Sequence, residues 1–528
     1  VGKKNKMKKR FNITGVCIPD RHYMMDTSKK MKAVLEMIEF GEYFTINRPR
    51  QYGKTTMLFL LEEYLGKTKD YLAIKTSFEA IGDLAFENEQ TLSRTFLGLL
   101  HDAIVWENPV FAKSIQDKIA EIHHLTDLSK VISQLVRESQ KKVVVLIDEV
   151  DASSNDPMFL KLLAMLRNKY LNRSRRGQET FHSVILAGVH DIKTLKLRLR
   201  PDDQRQYNSP WNIAADFEVV MRFHPPEIAP MLEEYGQAEG VAMDVPAIAE
   251  RLYYYTSGYP FLVSKLCKII AEKFVPVKEM RTWTLEEVEN AVNLLLRETN
   301  TNFDSLIKNL ENNEELYDLV YRVIIEGEEI IYNPDNPLIH HGVLYGIFKN
   351  DSSLLKVHNR AYEQRIYNYM TSKTELKVRT NGYNFQNQFI LKDRRLDVKK
   401  ILLKFQQFMQ EQYSEKDTSF LERHGRLVFL SFLKPIINGG GHDFKEVQAS
   451  EEKRLDIVVT FFRHKYIIEL KRWYGDAAHQ KGIRQLGDYL DRQHQQKGYL
   501  LIFEHKTKKT WRKEEVRQGD KDIFAVWV

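Results

Sequence analysis

Long apolar runs are what this chain most lacks. The longest, such as "VVVLI" at 143–147, fall far short of the roughly 20 residues that a helix needs to cross a bilayer, so no membrane role is expected. Cysteine is nearly absent: Cys17 and Cys267 are the two in 528 residues. That is too few for a disulfide framework and suits a reducing, cytoplasmic setting. No apolar segment follows the basic stretch "VGKKNKMKKR", which argues against a secretory signal. Low-complexity tracts and internal repeats are missing as well, which sets aside fibrous and solenoid architectures.

What is present is globular in composition, 43% hydrophobic and 29% charged, and at 528 residues it exceeds a single core, so several domains are expected. The net charge of +7 is unevenly placed. Residues 421–528 carry 21 Lys and Arg against 15 Asp and Glu, an excess of six, so most of the surplus lies in the last fifth of the chain. Such an excess is either a solvated basic surface or a face turned toward a polyanion, since phosphate contacts dominate nucleic-acid affinity.

Residues 43–66, "YFTINRPRQYGKTTMLFLLEEYLG", run from a β-rich stretch through a Pro/Gly loop into an amphipathic helix that closes at Gly66. Strand, loop and helix with "GKT" at the helix start is the P-loop arrangement. The loop Arg48, Pro49, Arg50, Gln51, Tyr52, Gly53 and the helix start Lys54, Thr55, Thr56 would hold nucleotide phosphates, with Lys54 on the β and γ oxygens and Thr55 on Mg²⁺. One position departs from the pattern: GxxxxGK[ST] asks for Gly where this chain has Arg48. The partner motif is "VVVLIDEVD" at 143–151, an apolar run fit for a fully buried parallel strand that ends abruptly in acids. Asp148 would hold Mg²⁺ and Glu149 would orient or deprotonate the attacking water.

A third run, "FHSVILAGVHDI" at 181–192, reads as another core strand, whose His190 or Asp191 would either sense the γ-phosphate or cap a loop. In "YYYTSGYPFLVSKLC", Gly258 and Pro260 stand just ahead of a helix, as a lid over the adenine or as a plain turn. "LNRSRRGQ" at 171–178 is a basic loop or a source of an arginine finger in trans. Beyond residue 303 the pattern is mostly helical. "SSLLKVHNRAYEQRIYNYM" then reads as a strand or wing followed by a helix, an order that suits a winged helix, either binding DNA or packing between domains. "LDVKKILLKFQQFMQEQY" reads as an amphipathic helix, followed by the charged linker "SEKDTS".

Taken together, "HYMMDTSKK", "YFTINRPRQYGKTTML", "DEVD", "GVHDIK" and "SPWNIA" resemble the bacterial AAA-like ATPases related to archaeal-type and STAND P-loop proteins, over roughly residues 10–300. In that family an "RPRxxGK" loop replaces the Gly-rich opening, so the resemblance makes Arg48 a family-like variant. It also implies that the Gly258-Tyr259-Pro260 turn belongs to a helical lid and that a winged helix follows.

Near the C-terminus, "KRLDIVVTF" and "YIIELKRW" are two β-rich runs joined by the short turn "RHK", a hairpin. Alternation puts Ile467, Glu469, Lys471 and Trp473 on one face, and Asp456 enters the first strand roughly opposite the end of the second. Asp456, twelve residues, Glu469, one residue, Lys471 is the spacing of the PD-(D/E)XK nucleases, with Leu455 in place of Pro. Two hard carboxylates suit Mg²⁺ or Mn²⁺, the metal lowers the pKa of a bound water, and Lys471 positions that water and stabilises developing charge. "RQLGDYLD" places Gln485 and Tyr489 one turn apart on a helix face, matching the QxxxY element in one branch of that superfamily. "LERHGRLVFLSFLKPIINGGG" supplies a helix bearing Glu422, where these nucleases often place a further acid, and Glu446 in "FKEVQAS" is either a metal ligand or an exposed strand residue. Residues 420–506 resemble the PD-(D/E)XK domain found fused to these same ATPases.

The expected architecture is multidomain α/β: a P-loop NTPase core with a parallel sheet (1–220), a helical lid (221–302), a winged-helix-like and helical connector (303–420) and a restriction-endonuclease-like α/β domain (421–528). The expected function is an ATP-driven or ATP-regulated, Mg²⁺- or Mn²⁺-dependent nuclease acting on nucleic acid, with DNA favoured over RNA, as a homo-oligomer; by resemblance it acts in defence against foreign nucleic acid. Two alternatives stand beside it: an ATP-switched nucleic-acid binder without cleavage, and a nucleotide-binding interaction scaffold.

Overall fold

A computed structural model describes residues 8–79, 81–153, 156–189, 196–197, 207–208, 211, 213–277, 281–325, 328–375, 389–393, 395–412, 428–430, 432–433, 436–437, 447–450, 454–461, 464–492, 495–504 and 510–528. It divides into two compact units, Val1–Leu295 with His341–Gly346, and Leu296–His340 with Ile347–Val528. Among the described residues no helix is long and apolar enough to cross a membrane.

The first unit opens with α1 (Ser28–Glu39) and then builds a sheet from β1 (Phe44–Asn47), β2 (Tyr71–Ser77), β3 (Lys142–Asp148) and β4 (Ser183–Gly188). The order is β1-β4-β3-β2 and every pairing is parallel. In a parallel sheet covered on both faces the inner strands read as unbroken apolar runs. That is why Val143 to Ile147 is continuous and why the run ends where the strand reaches the sheet's carboxyl edge at Asp148. The helix after β1, α2 (Lys54–Gly66), buries Met57, Leu58, Leu61 and Leu65. Between β2 and β3 the chain crosses through α3 (Glu89–Ile104), α4 (Pro109–Ile119) and α5 (Leu125–Ser139), and α6 (Pro157–Asn172) joins β3 to β4. Asn88, Asn108 and Asp156 cap α3, α4 and α6 through their side-chain oxygens, which satisfies otherwise orphaned N–H groups.

Beyond a two-residue ladder of β5 (Lys196–Leu197) with β6 (Tyr207–Asn208), the unit is helical: α7 (Pro225–Glu239), α8 (Val245–Thr256), α9 (Pro260–Ile269) and α10 (Leu285–Arg297), with β7 (Ala242–Met243) pairing β8 (Thr282–Trp283). The α8–α9 turn takes Ser257 and Gly258 through the left-handed region at φ 48° and 72°. Phe223 N–H donates to the Gly258 carbonyl at 3.0 Å, so the two backbones lie in contact and a Cβ on Gly258 would run into the Phe223 carbonyl.

The second unit holds α11 (Thr301–Glu311), α12 (Glu314–Ile324) and a hairpin of β9 (Phe348–Asp351) and β10 (Leu354–Val357), while α13 (Pro337–Leu344) is divided between the two units. The hairpin's two turn residues, Ser352 and Ser353, both have positive φ, the twist a two-residue hairpin needs. Then come α14 (Arg360–Glu375) and α15 (Val398–Gln412). The expected strand-then-helix order of this region is present; the "SEKDTS" linker lies outside the described residues.

A six-stranded mixed sheet completes the unit, in the order β11-β12-β13-β14-β16-β15. The strands are β11 (Val447–Ser450), β12 (Arg454–Phe461), β13 (His464–Arg472), β14 (Lys497–Phe503), β15 (Lys513–Gln518) and β16 (Lys521–Trp527), with α16 (Asp476–Arg492) crossing from β13 to its parallel neighbour β14. Ile483, Leu486 and Leu490 of α16 cover one face, against Ile467, Leu500 and Ile502. On the other face α15 packs on β14 and β16, with Lys399 Nζ 5.3 Å from the centre of the Phe524 ring.

Gly258→Ala should destabilise the first unit, because it adds left-handed strain of about 1–3 kcal/mol to a backbone clash. Thermal unfolding of the purified protein checks this, and a melting temperature equal to wild type would show that the turn can open without cost.

Candidate nucleotide and metal sites

The P-loop is built as a strand-to-helix turn. Gln51 (φ 57°) and Gly53 (φ 85°) take the left-handed conformations that fold the loop back, so that α2 starts at Lys54 with its first N–H groups toward the loop. Lys54 is only 6% exposed. Its Nζ donates to the carbonyls of Arg48 (2.9 Å) and Pro49 (3.1 Å). Burial pulls its pKa below the usual lysine value, opposed by the carboxylates of Glu149, Asp151 and Asp148, while Arg50 pushes it further down. Arg50 and Gln51 are exposed, Pro49 and Tyr52 buried, and Thr55 half-buried. The Thr56 hydroxyl accepts from Cys17 N–H at 3.1 Å, tying the start of the helix to the segment before α1.

Across the loop, Asp148 is 4% exposed and accepts from Glu149 N–H at 3.0 Å. Glu149 has φ 52°, left-handed for a non-glycine residue, a conformation that persists only when its surroundings hold it. Burial raises the Glu149 pKa, Lys54 opposes the rise, and Asp148, Asp151 and Glu79 add to it. Two residues on, Asp151 accepts from Val189 N–H with both oxygens, at 2.8 and 2.7 Å.

The helical part closes on this loop. Tyr259 hydroxyl donates to the Arg50 carbonyl at 2.5 Å, and its ring meets Tyr52 edge-on with centroids 4.6 Å apart. Burial takes the Tyr52 hydroxyl pKa up to about 12, so it stays protonated at neutral pH. Pro260 Cγ lies 4.0 Å from where a Cβ on Gly53 would stand. Gly346, at φ 72°, is seated on Pro49 so closely that its own Cβ would lie 2.9 Å from the proline's. Tyr259 and Pro260 are thus brought to the P-loop, while Gly258 itself lies against the Phe223 backbone. His190 and Asp191 lie outside the described residues.

In the C-terminal sheet, Asp456 stands directly opposite Glu469 in the antiparallel ladder of β12 and β13. Glu469 is 1% exposed, and Lys471 Nζ lies 3.1 Å from its Oε1. The lysine reaches over α16 at Gly482, where any Cβ would collide with Nζ. Gln485 follows one turn later, half-buried, while Tyr489 is part of the apolar core beneath the helix. Glu422 and Glu446 lie outside the described residues. Among the described residues, no three His, Cys, Asp or Glu side chains are grouped as a metal site.

Residues 16–364 match the family model described as an AAA-like domain. The chain belongs to the AAA-like domain family. Its core is a P-loop NTPase core with a parallel sheet. Among solved structures, this AAA-like chain is similar to the Walker-type ATPase PABY2304 of Pyrococcus abyssi, at 13% identity over 67% of this chain and 99% of that one, with a TM-score of 0.47. It is also similar to the Aeropyrum pernix ORC2 protein in its ADPNP-ADP complexes (13%, 70% and 100%, TM-score 0.37) and to the Thermotoga maritima RuvB Holliday junction branch migration motor (12%, 67% and 98%, TM-score 0.33). No curated protein matches the sequence.

Within this AAA-like domain Arg48 has a job that the sequence alone does not disclose. Its guanidinium turns away from the loop and donates to the carbonyls of Asn47 (2.7 Å), Val219 (2.9 Å) and Phe217 (3.4 Å), and stacks on the Phe217 ring at 5.2 Å. Burial lowers its pKa from the arginine value. The contacts of Asp151, Gly346 and Gly482 join separate elements and carry little local sequence signal beyond the repeated acid in "DEVD".

Arg48→Gly would restore the common GxxxxGKT pattern, yet it should weaken the protein. Leaving the Phe217 and Val219 carbonyls without their donor costs about 1–3 kcal/mol. Thermal unfolding with and without nucleotide measures this, and a variant as stable as wild type would show that water replaces the guanidinium freely.

Proposed function

We propose that this AAA-like protein is an ATP-driven or ATP-regulated, metal-dependent nuclease. The observation that carries the nucleotide half is the buried Lys54 ammonium, held by loop carbonyls and faced by Glu149, Asp151 and Asp148. A buried cation with carbonyl partners that an anion can replace, at a helix N-terminus, is chemistry suited to phosphates. The donor set also fits a hard divalent cation: the Thr55 hydroxyl and the Asp148 carboxylate would hold Mg²⁺, which would neutralise phosphate charge. Glu149 directs the attacking water and accepts its proton. Arg50, exposed on the loop, supplies further positive charge, and the Gly258-Tyr259-Pro260 turn serves as the lid.

The nuclease half rests on one register. Asp456 opposite Glu469, with Lys471 two residues along the same strand, sets two acids and a base at neighbouring register positions of the ladder. These residues fit Mg²⁺ or Mn²⁺, with Asp456 and Glu469 as ligands, and a bound metal would supply an activated water. Lys471 positions that water and stabilises charge developing on the phosphate, and Gln485 stands one helical turn beyond the glycine over which the lysine lies. The substrate is nucleic acid, DNA in the first instance, met by the basic excess of residues 421–528. A second reading, nucleic-acid binding without cleavage, is favoured by the 3.1 Å Glu469–Lys471 ion pair, which gives both charges a structural partner.

Glu149→Gln should keep nucleotide binding and lose most of its hydrolysis, since it spares Asp148, whereas Lys54→Ala should lose binding while remaining folded. Calorimetry and phosphate release measure the two, and ATP affinity that survives in Lys54→Ala would remove the P-loop assignment. For the second half, labelled DNA and RNA incubated with Mn²⁺ or Mg²⁺, with and without ATP, should be cut by wild type. Lys471→Ala should be slower by about 10²- to 10³-fold with metal still bound, and Glu469→Ala should lose the metal. Equal cleavage by wild type and Lys471→Ala would favour the purely structural ion pair.

A further inference from the structure

We infer that Asp151 is a positioning residue for ATP hydrolysis, holding Glu149 in register with the P-loop through its double acceptance from Val189 N–H. This rests on the ATPase reading above and adds to it a residue outside the phosphate, metal and water roles.

The geometry converges on one dipeptide at the end of β4. Gly188 carbonyl accepts from Arg48 N–H at 3.2 Å, which fixes the first residue of the P-loop. The next residue, Val189, donates its N–H to Asp151, which fixes the loop after β3. The end of β4 therefore sets the distance between the two halves of the nucleotide site, and Asp151 is the side chain that closes the link. Space has been kept for it: a Cβ on Gly188 would lie 2.7 Å from Asp151 Oδ1 and 3.1 Å from Val150 Cγ2.

The link matters because Glu149 sits in a strained left-handed conformation between two anchored residues. Asp148 is held by the sheet, its carbonyl accepting from Phe78 N–H at 3.0 Å. Asp151 is held by Val189. With both neighbours pinned, Glu149 has little freedom, and a water-directing carboxylate displaced by about 1 Å loses about 10²-fold in rate. Releasing Asp151 should thus lower turnover, and because its carboxylate also faces Lys54, the amide variant is what separates the Val189 hydrogen bond from the loss of charge.

Three variants of the full chain test this by steady-state ATP hydrolysis, nucleotide affinity and thermal unfolding. Asp151→Ala should drop kcat by about 10²-fold, a larger change than in KM or nucleotide Kd. Asp151→Asn keeps an oxygen that accepts from Val189 N–H and should recover most of the activity. Gly188→Ala, which crowds Asp151 from below, should reproduce the kcat loss. Wild-type kcat in Asp151→Ala would overturn the inference and leave the ATPase reading intact. Asp151→Asn as slow as Asp151→Ala would also overturn it, since the effect would then be one of charge. A loss of stability and nucleotide affinity in proportion to kcat in all three would mean a structural role only. Wild-type protein that binds ATP without hydrolysing it would sink the hydrolysis reading, and this inference with it.

Discussion

The buried ammonium of Lys54 is the constraint around which the first unit is arranged. A charge taken out of water costs several kcal/mol unless its partners replace the lost hydration, and here the replacements come from three directions. The loop supplies the carbonyls of Arg48 and Pro49, β3 delivers Asp148, and the residues just beyond it bring Glu149 and Asp151. This works only because every strand runs the same way. In the order β1-β4-β3-β2 the carboxyl ends of β1 and β3 open on the same edge, with β4 between them, so loop and acids meet at one site. An antiparallel arrangement of the same strands would send the acids to the far side of the sheet.

Holding the loop around that lysine moves conformational demands to other residues. The left-handed turns of the loop fall at Gln51 and Gly53. Arg48 contributes hydrogen bonds to carbonyls near residues 217–219, and thereby joins the loop to the chain that leads into the helices. Gly258 and Gly346 then serve close approach. Both have positive φ, and a Cβ on either would strike neighbouring backbone or Pro49. Tyr259, between Gly258 and Pro260, adds a hydrogen bond from its hydroxyl to the Arg50 carbonyl.

Much of this was legible in the sequence wherever the signal is local. The strand-loop-helix of "TINRPRQYGKTT", the acid-terminated run "VVVLIDE" and the hairpin that pairs Asp456 with Glu469 each depend on periodicity and on chain neighbours, and each lies where those patterns place it. What stayed hidden depends on contacts across the fold. Nothing near Gly188 says that Asp151 fills the space beside it, and nothing near Gly482 says that Lys471 lies over it. β15 and β16 were passed over for another reason: "KEEVRQ" is charged along an edge, so its alternation carries little apolar contrast, and "KDIFAVW" becomes a buried strand only through its pairing with β14. Arg48 is the instructive middle case. The departure from pattern was visible, but its physical reason lies about 170 residues away in sequence.

The charges on β13 pose the same question at the other end of the chain. A strand face covered by Ile483, Leu486 and Leu490 of a helix is where apolar residues give the most stability, yet Glu469 sits beneath it almost wholly buried. An ion pair in such a place seldom repays its desolvation, and apolar replacements of similar size are often as stable or more so. Lys471 adds a second cost. Its ammonium lies where a Cβ at 482 would stand, and glycine in a helix interior forfeits roughly 0.5–1 kcal/mol relative to alanine. The proposed metal site would give these two expenses, each avoidable by an ordinary apolar substitution, a purpose other than folding. Under that proposal Asp456, which the ladder sets against Glu469, is the second acid that a structural pair of one acid and one base does not need.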